Sequence, residues 1–121
     1  MELDGTRVIV TGASTGIGRV TSLRLARRGA RVFAAARDER RLEALAAEHP
    51  EIVAAPCDVA DDADRAALVK KCEPVDVLVN NAGVGWQGVV ETMPSDKVRQ
   101  LFEVNVLALI DLTQRVLPGM L

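Results

Sequence analysis

The residues best placed to do chemistry in this chain are glycines. Gly12, Gly16 and Gly18 stand within seven positions in RVIVTGASTGIGRV, residues 7–20, directly behind an apolar run and directly ahead of a helix-like pattern. Glycine lets a strand-to-helix turn adopt backbone angles that a side chain forbids, and lets the main chain approach a ligand closely. The first-turn N–H groups of the following helix lack internal partners and carry partial positive charge, so they bind phosphate. A glycine trio in a strand–turn–helix context therefore points to a nucleotide cofactor held by its diphosphate. A merely flexible turn is the rival reading, and the flanking pattern argues against it.

Other candidate chemistries are sparse. Cys57 and Cys72 are too few and too plainly spaced for a disulfide framework or a zinc site. They read as reduced, partly buried thiols, as expected of a cytoplasmic protein. Asp61, Asp62 and Asp64 cluster at a helix start, where capping explains them better than a cation does. His49, between Glu48 and Pro50, has no partner motif and reads as a solvated helix-end residue. A formal net charge of −2 gives no electrostatic reason to expect nucleic acid or an anionic membrane as partner. Two phenylalanines, one tryptophan and no tyrosine offer no stacking platform for single strands. No charged leader opens the chain, and no apolar run approaches the ~20 residues of a membrane span.

The elements that must position the loop follow from periodicity. Four short, nearly continuous apolar runs, Arg7–Val10, Val32–Ala36, Ile52–Ala55 and Val75–Val79, read as strands covered on both faces. Between them lie three helical patterns. The first runs from about Ile17 to Arg28, with Gly29 placed to end it in a left-handed cap. The second runs from about Asp38 to Glu48, stopped by Pro50, and the third from about Asp61 to Cys72, acidic at its start and basic at its end. At 121 residues this is one α/β domain, 1–121, in which right-handed crossovers build a doubly wound parallel sheet. A fourth helix is expected from Ser95 or Asp96 to about Val116. Within it LFEVNVLALIDL, residues 101–112, has only Glu103, Asn105 and Asp111 as polar residues. A helix apolar nearly all round is normally buried nearly all round, and four strands cannot supply that cover.

In this frame TGASTGIG resembles the T-G-x-x-x-G-I-G loop of the classical short-chain dehydrogenases/reductases. The similarity continues through C-D-V at Cys57–Val59, N-N-A-G at Asn80–Gly83 and the asparagine of F-E-V-N-V at Asn105, in the same order along the whole chain. The resemblance implies a Rossmann-type fold with strand order 3-2-1-4. It implies that Gly12, Ser14, Thr15, Gly16, Ile17 and Gly18 cradle the pyrophosphate and adenosine side of the cofactor. Asp58 and the Val59 backbone would meet the adenine, and Asn81 the adenine ribose. Asn80 would tie the fourth strand to its neighbours, and Gly83 would keep the nicotinamide path clear. Trp86 would lie in a loop on the substrate side, where shaping that site, packing and an interface role all remain open.

The end of the second strand selects the cofactor. An acid there would bond both ribose hydroxyls, but the position is Ala36, followed by Arg37. A small residue leaves room and a guanidinium pairs with phosphate oxygens, so NADP is expected over NAD. Asp38 could serve as the ribose acid only after a register slip, and it suits the cap of the second helix.

The family's reaction, hydride transfer between nicotinamide and a carbonyl or alcohol carbon, uses a tyrosine, a lysine four residues later, a serine and an asparagine that holds a relay water. Of that set only Asn105 is present. The chain has no tyrosine, and Lys70, Lys71 and Lys97 follow Ala66, Ala67 and Met93 by four places. The chain thus reads as a family domain truncated after the fourth helix and inactive alone. A bare fourth-strand edge and the apolar helix point to a homo-oligomer. Two other readings stand beside the truncated enzyme: a dinucleotide-binding module needing a second half, and a self-associating scaffold without cofactor.

Overall fold

The computed structural model describes residues 2–121. Its elements alternate as the periodicity predicts: β1 (Arg7–Thr11), α1 (Gly16–Arg27), β2 (Arg31–Ala36), α2 (Glu39–Glu48), β3 (Ile52–Pro56), α3 (Asp62–Cys72) and β4 (Val77–Val79). A 3₁₀ turn at Val90–Thr92 then leads to α4 (Ser95–Phe102), a π-helical turn (Glu103–Leu107) and α5 (Ala108–Met120). The sheet is parallel with order β3-β2-β1-β4.

Strand alternation divides the core in two. Val8, Val10, Val32 and Ala34 face α1 and α2, packing with Leu23, Ala26, Leu42 and Leu45. Ile9, Phe33 and Ala35 face the other way, onto Leu68, Val69 and Cys72 of α3 and Ala108, Leu112 and Val116 of α5. Both faces of the sheet are thus buried, which explains why the strands read as continuous apolar runs.

Helix ends obey local chemistry. Asp38 caps α2 by accepting a hydrogen bond from the Arg41 amide at 3.1 Å, and Asp61 caps α3 by accepting from the Asp64 amide at 3.2 Å. Gly29, with φ +91°, makes the left-handed turn after α1. Between α2 and β3, His49 Nδ1 accepts from the Glu51 amide at 3.1 Å.

Two boundaries differ from expectation. β4 begins at Val77 and not at Val75, because the Asp76 carboxylate accepts the Arg7 amide at 2.8 Å, where a strand carbonyl would otherwise do so. The last helix runs through Pro118 to Met120, about one turn beyond the expected Val116. It is also interrupted: α4 and α5 form one rod with the wider π-helical turn between them. The rod buries Val104, Ala108, Leu112 and Val116 and leaves Phe102 (60% exposed), Val106, Leu107, Leu109, Ile110 and Leu117 on its outer side.

Candidate functional site

At the C-terminal ends of β1, β2 and β3 lies a cleft of about 480 Å³, within the size range of small-molecule sites. Gly12, Ser14, Thr15, Gly16, Ile17, Arg37, Asp58, Val59, Asn81 and Gly83 all line it, together with Ala36 and Asp38. Of the expected cofactor contacts only Gly18 does not, because it lies beneath the loop.

Gly18 is buried in close contact. A Cβ there would sit 2.3 Å from the Gly12 carbonyl oxygen and 2.6 Å from Asn81 Nδ2. Gly12 itself has φ +62°, and its missing side chain lets the loop rest against Ala82. The glycines therefore let α1 start hard against the β1 and β4 loops. Thr15, the α1 N-cap, makes no side-chain hydrogen bond to the first turn, so its hydroxyl does not occupy the donors there.

The loop after β4 is held by Thr11, a residue whose role the sequence did not reveal. Thr11 is 1% exposed, and its Oγ1 accepts the amides of Asn81 at 3.0 Å and Ala82 at 2.9 Å. Asn81 Nδ2 in turn donates to the Thr11 and Gly12 carbonyls, both at 3.2 Å. The tie between β4 and β1 is thus made by Asn81. Asn80, expected to tie the fourth strand to its neighbours, donates to Thr113 Oγ1 of α5 at 3.2 Å.

Asn105 sits in the π-helical turn, outside the cleft lining. Its Oδ1 accepts from the Val84 amide at 2.9 Å and its Nδ2 donates to the Val84 carbonyl at 2.8 Å. The side chain therefore clamps the loop that carries Gly83 and Val84 along the cleft wall. At the other end, Asp58 Oδ1 accepts from the Ala60 amide at 3.0 Å, and the Asp58 amide donates to Asp64 at 2.9 Å. Asp38 faces the cleft but is engaged by its cap and by Arg41 at 3.3 Å, whereas Arg37 is exposed and makes no ion pair among the described residues. Cys57 also lines the cleft. Burial first, and the nearby Asp64 carboxylate next, push its thiol up to about 11.

A second feature, Arg65, escaped the sequence reading. It is 6% exposed and meets two of the three polar residues of the apolar rod, Asp111 at 2.6 Å and Glu103 at 3.1 Å. Its signal was present in the acidic pair on an otherwise apolar helix.

The family model described as short chain dehydrogenase matches residues 6–121. The chain is 43% identical over 119 residues to 2-keto-3-deoxy-L-fuconate dehydrogenase of Xanthomonas campestris pv. campestris, covering 98% of this chain and 40% of that protein. Among solved structures it matches a metagenomic short-chain oxidoreductase in complex with NADP, with TM-score 0.90, 36% identity, and 98% and 58% of the two chains covered. It also matches a 3-ketoacyl-(acyl-carrier-protein) reductase from Brucella melitensis complexed with NADH, with TM-score 0.88, 31% identity, and coverage of 97% and 51%. The chain spans less than half the length of the curated relatives it matches.

Proposed function

The chain belongs to the short-chain dehydrogenase family, and from that premise we propose that it is the NADP-binding part of a cytoplasmic oxidoreductase. Bound NADP(H) would carry a hydride to or from a carbonyl or alcohol carbon. The observation that carries this reading is the convergence of the glycine loop, Arg37, Asp58 and Asn81 on one cleft of about 480 Å³. Beneath the cleft, the close approach at Gly18 lets α1 start against the Gly12 carbonyl and Asn81.

In this reading Gly12, Ser14, Thr15, Gly16, Ile17 and Gly18 hold the diphosphate with main-chain amides. Asp58 and Val59 meet the adenine, Asn81 meets the ribose, and Gly83 leaves the nicotinamide path open. Arg37 supplies a guanidinium to a 2′-phosphate at the end of β2, next to the small Ala36. Asp38, occupied in capping α2, is a poor ribose acid, which supports NADP over NAD. The buried free thiols of Cys57 and Cys72 suit a reducing compartment.

The 121 residues alone turn over no substrate in this account. A general acid must reach the reacting oxygen, and the cleft is lined by neither tyrosine nor lysine. Lys71 instead donates to the Ala54 carbonyl at 3.2 Å, and Lys97 to Gln100 at 3.4 Å. Asn105 would serve the proton relay once the other members are supplied. We further assign self-association to the open edge of β4 and the apolar outer side of α4–α5. Sedimentation showing a stable monomer at micromolar concentration would contradict that assignment.

Calorimetric titration with NADPH and NADH tests the cofactor assignment. NADPH is expected to bind more tightly, and Arg37→Ala to weaken NADPH roughly tenfold or more while leaving NADH little changed, as expected for one charge-assisted contact. Equal binding of both, indifferent to Arg37, would overturn the NADP preference. NADPH oxidation by the purified chain with a carbonyl substrate would overturn the claim of inactivity.

A further inference from the structure

Arg65 is a buried cation whose contacts run in three directions. Nε donates to Asp111 of α5 at 2.6 Å, and Nη1 donates both to Glu103 at 3.1 Å and to the Val59 carbonyl at 2.5 Å. Nη2 lies 3.5 Å from Asp62. Arg115 closes the cluster, bonding Asp111 and Asp62 at 2.8 Å each. One guanidinium thus joins a cleft-lining backbone group to both sides of the π-helical turn.

That turn is what makes the arrangement possible. Glu103 and Asp111 are eight residues apart, which at about 100° per residue puts them about 80° apart on an ordinary α-helix. The π-helical turn takes up one extra residue, so the separation acts like about seven residues, or two turns, and both carboxylates face the same way. In the middle of the turn is Asn105, whose side chain clamps Val84 on the cleft wall. The turn thus brings both carboxylates within reach of the one Arg65 guanidinium.

Stability alone does not explain burying the Arg65 guanidinium among partners that stay partly or largely exposed. Taking charges out of water costs about as much as the pairing returns, and apolar replacements of similar volume are often neutral or better. What the cluster supplies and an apolar residue would not is a fixed position. We propose that Arg65 is a positioning residue for the cofactor cleft: it locks the π-helical turn so that Asn105 keeps the Gly83–Val84 wall in place, while its bond to Val59 fixes the opposite, adenine-side wall. The part concerning cofactor rests on the NADP reading above. The bracing itself does not.

The test measures amide hydrogen exchange at Val84 alongside NADPH titration, in Arg65→Met, in Glu103→Gln and in Leu42→Ala. Leu42 lies in the core on the other face of the sheet, and its truncation lowers global stability without touching the cluster. Expected is at least tenfold faster Val84 exchange in Arg65→Met and Glu103→Gln than in Leu42→Ala at matched global stability, with roughly tenfold weaker NADPH binding. If Arg65→Met does not fold, the partly exposed Glu103→Gln carries the comparison. Val84 exchange that follows global stability alike in all three overturns the proposal. Failure of the unaltered chain to bind NADPH, with the exchange contrast intact, refutes the cofactor reading and leaves the brace standing. Unchanged exchange in a chain that binds NADPH normally does the reverse.

Discussion

Replacing Gly18 with alanine sets two well-defined effects against each other. Gly18 is the third residue of α1, and on helix propensity alone glycine to alanine stabilises by about 1 kcal/mol. The new Cβ, however, would lie 2.3 Å from the Gly12 carbonyl oxygen, 2.9 Å from its carbon and 2.6 Å from Asn81 Nδ2. Restoring ordinary contact means moving that carbonyl by roughly 1 Å, and overpacking of this kind costs about 1–3 kcal/mol. The upper end applies, since the obstructing atoms are backbone, Gly12 is already at φ +62°, and the Asn81 side chain is held by two carbonyls. The net expectation is a loss of about 2 kcal/mol, or roughly 8 °C in Tm for a chain of this size. Urea unfolding followed by circular dichroism measures it, with an unchanged m-value showing that the denatured state is not the cause. A variant as stable as the parent, or more so, would refute the claim that α1 starts in obligatory contact with the β1 loop.

Thr11→Val keeps the volume but removes the acceptor of two part-buried amides, so a loss of about 1–3 kcal/mol is expected, with Thr11→Ser recovering most of it in the same unfolding assay. The Asp111 carboxyl is held below its ordinary value of 3.8, first by the hydrogen bond from Arg115 and then by that from Arg65. Its contribution to stability is therefore complete above that ordinary value and lost as pH falls through the lowered one, so Asp111→Asn should flatten the decline in stability on acidification below about pH 4. Burial raises Cys57 to about 11 and Cys72 to about 12, so neither thiol should react with an aromatic disulfide at pH 8 until the chain unfolds. Thiol release counted before and after adding denaturant checks that.

Features set by residues close in sequence were legible before the structure. The glycine loop, the Asp38 and Asp61 caps, the turn at Gly29 and the four apolar runs each depend on neighbours within a few positions, whereas the strand order was implied by the family resemblance, since right-handed crossovers give a parallel sheet without fixing its order. Features set by distant pairings were not. Thr11 becomes a hub only because β4 lies beside β1, some seventy residues later, and Asn81 rather than Asn80 reaches it because Asn80 is turned toward α5. The start of β4 is decided by the Asp76 carboxylate, a side chain standing in for backbone. Arg65 looked like any helical arginine until the π-helical turn and α5 brought Glu103 and Asp111 onto it. The polar residues of the apolar rod are its anchors, Glu103 and Asp111 to Arg65 of α3 and Asn105 to Val84 on the cleft wall.

The central claim is that main-chain amides at the start of α1 grip a dinucleotide. Amide chemical-shift perturbation in a titration with NADP tests it most directly. The account predicts saturable shifts at Ser14 through Gly18, with further shifts at Asp58, Val59 and Asn81. Shifts confined to other parts of the chain, or none at millimolar cofactor, would contradict it.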